Sequence, residues 1–99
     1  MKINEVRNDR TLILNLEGRL DTATSPELKH FLDDNIPSAD SLILDMENLE
    51  YVSSAGLRVL LSAQKSMESK GGLTIRHPNK LVMQVFELTG FREILHIEE

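Results

Sequence analysis

The sequence predicts an α/β fold in which a mixed β-sheet carries helices. Three observations predict it. Residues 11–17 alternate, with Leu12, Leu14 and Leu16 on one face and Asn15 and Glu17 on the other, which is the period of a half-buried strand. Leu42-Ile43-Leu44 is an uninterrupted apolar run, as expected of a strand in mid-sheet that is covered on both faces. Elsewhere apolar residues recur at helical spacing: Leu28, Phe31 and Leu32, then Leu57, Leu60, Leu61 and Met67, then Val82, Val85 and Phe86. Strands that alternate with helices after an opening hairpin make an α/β layer with a mixed sheet.

The elements follow in order. Residues 2–7 pair with residues 11–17 as a hairpin across the turn Asn8-Asp9-Arg10. Gly18 to Thr24 breaks the alternation and reads as a loop. The helix after it has two possible starts. Pro26 suits the first helical position, which makes Ser25 the N-cap; Thr24 with Glu27 three residues later makes a capping box. The helix stops near Ile36-Pro37. Asp45 to Val52 reads as a loop that leads into a helix from Ala55. Gly71-Gly72 stops that helix, with the first glycine suited to the left-handed cap. Leu73 to Arg76 is a short strand, His77-Pro78 a turn, and residues 79–88 a third helix ended by Gly90, with Phe91 placed for the apolar contact that follows such a cap. Ile94 to Ile97 closes the chain as a short strand or a helical turn.

A chain of 99 residues suits one domain, residues 1–99, and buries roughly 60–70% of the surface its unfolded form exposes. Aromatics are only 4% of it, so the core is aliphatic, with Met46, Met67 and Met83 as filler. There is no Cys, which excludes disulfides, thiol catalysis and Cys-ligated zinc. The net charge of −5 disfavours nucleic acid and anionic membrane surfaces as partners. The N-terminus lacks the apolar run of a signal peptide, and no segment has the ~20 apolar residues that span a bilayer. The chain therefore reads as cytoplasmic, without membrane insertion.

No nucleophile elbow, phosphate-binding Gly-rich loop or zinc-helix motif occurs. His30, His77 and His96 have no ligand spacing, so neither a metal nor a cofactor is expected. Ser53-Ser54 stands out, directly before a helix and ahead of the small residues Ala55 and Gly56. The plain reading is an N-cap, a serine hydroxyl accepting a backbone N–H. The functional reading starts from the same place. A phosphate at a helix start is tolerated by the fold and adds about −1.5 to −2 charge at pH 7, enough to abolish docking without unfolding. A nucleophilic Ser54 would need a base within hydrogen-bond reach. Asp21 reads equally as a partner contact or an Asx-type turn, and Arg58 more simply as a solvated helix residue than as a phosphate or partner contact.

Three segments carry a family resemblance. Gly18-Arg19-Leu20-Asp21, the long segment from Leu44 to Leu61 around Val52-Ser53-Ser54-Ala55-Gly56-Leu57, and Glu87-Leu88-Thr89-Gly90-Phe91 resemble the STAS domain. They resemble more narrowly the bacterial anti-sigma-factor antagonists. The match covers nearly the whole chain. It implies a four- to five-stranded mixed sheet with helices packed mainly on one face, and a binding module in place of an enzyme. It implies that the unphosphorylated chain captures an anti-sigma factor that is also a serine kinase, freeing a sigma factor. Phosphorylation then switches it off, and a serine phosphatase of the metal-dependent class resets it. Aligned on Gly56-Leu57, the phosphorylated serine falls on Ser54, with Ser53 as rival. The implied partner-contact set is Asp21, Thr22, Ser53, Ser54, Gly56 and Arg58, in a monomer or weak dimer. Ser53 stands where many members have Asp, Ala55 where many have Ser or Thr, and the chain ends sooner than relatives with a longer final helix. The alternative is a STAS subunit of an ABC-type lipid transport assembly, with no phosphorylation cycle.

Overall fold

Alternation and registry place the core on one side of the sheet. The computed structural model describes residues 1–99. Strand β1 (Lys2–Asn8) runs antiparallel to β2 (Thr11–Leu20), and β2 runs parallel to β3 (Ser41–Val52). Strands β4 (Leu73–Arg76) and β5 (His96–Glu98) continue the parallel run, and the spatial order is β1-β2-β3-β4-β5. Leu12 pairs with Leu42 and Leu42 with Leu73; Leu14 pairs with Leu44 and Leu44 with Ile75. All are buried, so neighbouring strands present continuous apolar rows to one face.

Helix α1 (Ser25–Asn35) joins β2 to β3, α2 (Ser54–Met67) joins β3 to β4, and α3 (Lys80–Thr89) joins β4 to β5. Each crossover steps one strand in the same direction. Parallel crossovers share the right hand, so all three helices fall on the same face. A single cluster of 23 buried residues joins their apolar stripes to the strand rows. Phe86 is its one aromatic member, beside Met46, Met67 and Met83. None of the helices is long and apolar enough to cross a membrane. A five-stranded mixed sheet with helices on one face is the architecture the resemblance implied.

Four local readings are corrected. The central strand is not covered on both faces: Ile43, between Ile13 and Thr74 on the open face, is only half-buried. Residues 45–52 are strand, not loop, and so are residues 18–20. The two stretches pair with each other through register shifts between Asn15 and Glu17 and between Gly18 and Arg19. Those irregularities space the buried residues Met46, Leu49 and Val52 by three, which hides the strand from a period of two. The left-handed glycine after α2 is Gly72 (φ 90), and α2 ends earlier, at Met67. Gly71 is needed for close approach instead, since a Cβ there would overlap the Ser41 hydroxyl and come 2.7 Å from the Asp40 carbonyl oxygen. Finally, Asn79 is not in the third helix but caps it. Its Oδ1 accepts from Val82 N at 2.8 Å while its Nδ2 donates to the Leu49 carbonyl at 2.8 Å. Gly90 ends α3 in the left-handed region (φ 80) and Phe91 packs on the core, as the sequence predicts.

Phe86 is fully buried and large. Phe86→Ala leaves a cavity and lowers the unfolding free energy by about 3–5 kcal/mol; chemical denaturation with an unchanged m-value is the expected record of it.

Candidate functional site

The site lies where the ends of β2 and β3 meet the start of α2. Ser53 N donates to the Leu20 carbonyl at 2.8 Å, which carries the sheet pairing one residue beyond β3. Ser53 is extended (φ −91, ψ 176), and its Oγ accepts from Gly56 N at 3.3 Å. Leu57 N donates to the Ser53 carbonyl at 2.9 Å. Ser53 is therefore the N-cap, and its hydroxyl is occupied. Ser54 is the first residue of α2; it is exposed, and its hydroxyl has no hydrogen-bond partner. Of the two serines, Ser53 makes the cap and Ser54 leaves its hydroxyl unbonded.

Gly56, expected at the partner surface, is buried instead. A Cβ there would lie 2.7 Å from Leu20 Cγ and 3.0 Å from the Leu20 carbonyl oxygen, so only glycine lets the first turn of α2 rest on the end of β2. Arg58 is exposed one turn further along. No His, Lys or carboxylate lies within hydrogen-bond reach of the Ser54 hydroxyl, so the nucleophile reading lacks its base.

Asp21 stands at the end of the paired β2 strand. Its Oδ1 accepts from Ala23 N at 3.0 Å and Thr24 N at 3.1 Å, an Asx-type turn. Its own N–H donates to Thr24 Oγ1 at 2.9 Å, and that hydroxyl donates to the Arg19 carbonyl at 2.7 Å. Thr24 is the N-cap position of α1, but its side chain makes no capping bond there, and Glu27 completes no capping box. Ser25 is not the cap either. It is buried, and its hydroxyl donates to the Asp21 carbonyl. The Thr24 backbone N–H is the chief cause that holds the Asp21 carboxyl below its ordinary range; partial burial opposes it, and the Thr24 hydroxyl, the Ala23 N–H and Arg19 add to it. Oδ2 is left toward Arg19, whose Nε lies 3.8 Å away.

Sequence reasoning missed two neighbours. Arg19 and Tyr51 are paired across β2 and β3, and the guanidinium lies 4.6 Å from the ring centroid, a cation–π contact. Both residues fell in stretches read as loops. A groove of about 290 Å³ also opens between α1 and α2, lined by Thr22, Lys29, His30, Ala55 and Val59 among others. On the open face of the sheet, Asp45, Glu47 and His77 bring ligand atoms within 4.8 Å of one another. Asp45 Oδ2 and His77 Nδ1 are 3.2 Å apart and Asp45 Oδ1 accepts from Glu47 N at 3.0 Å. This cluster escaped a search for ligand spacing because the sheet, and not the chain, brings residues 45 and 77 together.

The site is thus an exposed, unengaged hydroxyl beside a groove, at one end of a one-sided α/β layer. Known proteins share this architecture. A family model described as Mlab, STAS domain matches residues 3–96. BtrV of Bordetella bronchiseptica, assigned as an anti-sigma factor antagonist, is 32% identical over 98% of this chain and 85% of its own. The anti-sigma F factor antagonist of Paenibacillus polymyxa is 30% identical over 87% of this chain and 76% of its own. Among solved structures, SpoIIAA in its unphosphorylated form superposes with a TM-score of 0.83 at 19% identity, covering 99% of this chain and 89% of that one. The chain belongs to the STAS domain family, among the bacterial anti-sigma-factor antagonists, which are regulatory proteins and not enzymes.

Three outcomes test the site. Ser53→Ala removes the cap and costs about 1 kcal/mol of unfolding free energy, while Ser54→Ala, with no bond to lose, stays within about 0.5 kcal/mol of the parent. Gly56→Ala gains helix propensity, about 1 kcal/mol, yet drives a methyl into Leu20. The net outcome is a destabilisation of about 1–3 kcal/mol, read by thermal or chemical denaturation. Because the folded-state pKa of Asp21 is depressed, its contribution is complete above about pH 4 and is lost as pH falls through the lowered value. The Ala23 and Thr24 amide resonances then titrate with a midpoint below that of a free aspartate.

Proposed function

We propose that this chain is an anti-sigma-factor antagonist whose docking is switched by phosphorylation of Ser54. In the unphosphorylated state it binds an anti-sigma factor that doubles as a serine kinase, which frees a sigma factor in the cytoplasm. Transfer of a phosphate to Ser54 ends the binding, and a metal-dependent serine phosphatase restores it. The carrying observation is the division of labour at the helix start: Ser53 is spent on the cap and Ser54 presents a free, exposed hydroxyl. A dianion on Ser54 breaks no bond of the fold, and the N-terminal end of α2 favours negative charge. It nevertheless places about −1.5 to −2 charge on the surface, where a partner must desolvate it.

The relatives support this reading. Two that cover most of this chain carry the name anti-sigma factor antagonist. SpoIIAA has been solved in a phosphorylated form as well as an unphosphorylated one, and this chain superposes on the two with TM-scores of 0.76 and 0.83. The contact surface we assign comprises the Oδ2 edge of Asp21, Thr22, Ser54 and Arg58, with Ser53 and Gly56 supporting it from beneath. The whole of residues 1–99 acts as the one STAS module.

Incubation with the cognate kinase and ATP adds one phosphate, mapped by mass spectrometry to Ser54, and Ser54→Ala takes none. The unphosphorylated chain retains the anti-sigma factor in a pull-down, whereas Ser54→Asp weakens that complex by about tenfold or more. Phosphate found on Ser53, or co-purification with a permease and its ATPase and no phosphate at all, contradicts the proposal; the second result is the signature of a transport subunit.

A further inference from the structure

One cation beside Ser54 has no partner. Of the six arginines in the sequence, five face a carboxylate: Arg7 with Glu5, Arg10 with Asp40, Arg19 with Asp21, Arg76 with Glu98 and Arg92 with Glu87. Arg58 makes no ion pair and no side-chain hydrogen bond, and the aromatic contact of the chain belongs to Arg19. Arg58 is exposed and follows Ser54 by four residues on α2. Residues at that spacing are neighbours on one helix face, with Cβ atoms about 5–6 Å apart. Long helical side chains tend to lean back toward the N-terminus, a direction that puts Ser54 within the range of an Arg58 side chain. No acidic residue occupies the first turn of α2 to compete for it.

We infer that Arg58 is the internal receptor for a phosphate on Ser54, a positioning residue for the modified state; the inference rests on the phosphorylation proposed above. A guanidinium offers a planar fork of N–H donors that matches two phosphate oxygens, and such charge-assisted pairs are the strong ones. In the unmodified chain Arg58 reaches into solvent, where an acidic surface of the partner can use it. Once Ser54 carries phosphate, Arg58 folds back onto it. The modification then alters the docking surface twice, by adding a dianion and by withdrawing the one unspent arginine. Other cations near the helix start are less suited. Arg19 is held on Tyr51 and Asp21, and Lys29 pairs with Asp33 at 3.1 Å. His30 lies across the groove with Ala55 and is the competing candidate.

The experiment installs phosphoserine at position 54 during synthesis, so that no kinase is needed, and follows the phosphate by ³¹P NMR against pH. The second phosphate pKa is expected to be about half a unit lower in the parent than in Arg58→Gln. The Arg58 Nε–H resonance moves with the same midpoint, and Arg58→Lys recovers only part of the shift. An unchanged pKa in Arg58→Gln overturns the inference, and so does a rise produced by His30→Gln in its place. Failure of the cognate kinase to modify Ser54 leaves this titration intact and counts against the phosphorylation cycle alone.

Discussion

The seating of α2 on the end of β2 is the contact on which the site depends. Gly56 lets the first helical turn come down onto Leu20, and the Ser53 N–H to Leu20 carbonyl bond fixes the height at which it arrives. With that height fixed, the chain has one way to turn from strand to helix. Ser53 faces inward to the cap and Ser54 faces outward. A side chain at position 56 would push the first turn of α2 off Leu20 and strain the cap beneath Ser54. The seat of the exposed hydroxyl thus rests on a residue that is itself buried, and overpacking at such a contact has few ways to relax.

Much of the fold was legible in the sequence because its core is simple. Leu12, Leu14 and Leu16 keep a period of two, and Leu57, Leu60 and Met67 keep a period near 3.6, so side and element both follow from the pattern. The stop at Gly90 was legible because a positive φ after a helix calls for glycine. The upper parts of β2 and β3 were not. Their pairing is interrupted by two register shifts, and the apolar residues Met46, Leu49 and Val52 then fall at intervals that belong to neither period. Arg19 and Tyr51 were lost with them, since a cross-strand stack is invisible once both strands have been read as loops.

The candidate site shows the same division. The Ser-Ser-Ala-Gly run marks a helix start in any reading, and it names two hydroxyls. Which one caps and which one is free depends on a 2.8 Å bond to Leu20, thirty-odd positions earlier in the chain. Asp21 was read evenly as turn former or partner contact, and the structure spends Oδ1 on the turn while leaving Oδ2 at the surface. Gly56 lies on the other side of this boundary from the partner surface the sequence suggests, because a glycine beside an exposed serine looks like clearance for a partner. Its clearance is for Leu20.

The stretch of β2 from Asn15 to Arg19 has an implication for how this chain tolerates change. It keeps the count of two that carries Leu16 and Leu20 to the same face, because the extra residues at both register shifts lie on β3, between Asp45 and Tyr51. What reaches Gly56 is therefore governed by the number of residues in that β2 stretch more than by their kind. Loss or gain of a single codon there would exchange buried Leu20 for polar Arg19 or Asp21 beneath the helix, while the lower rows of the sheet kept their registry. Such a lesion would leave a folded protein with the seat of α2 dismantled, and substitutions of side chains in the same stretch would be far milder.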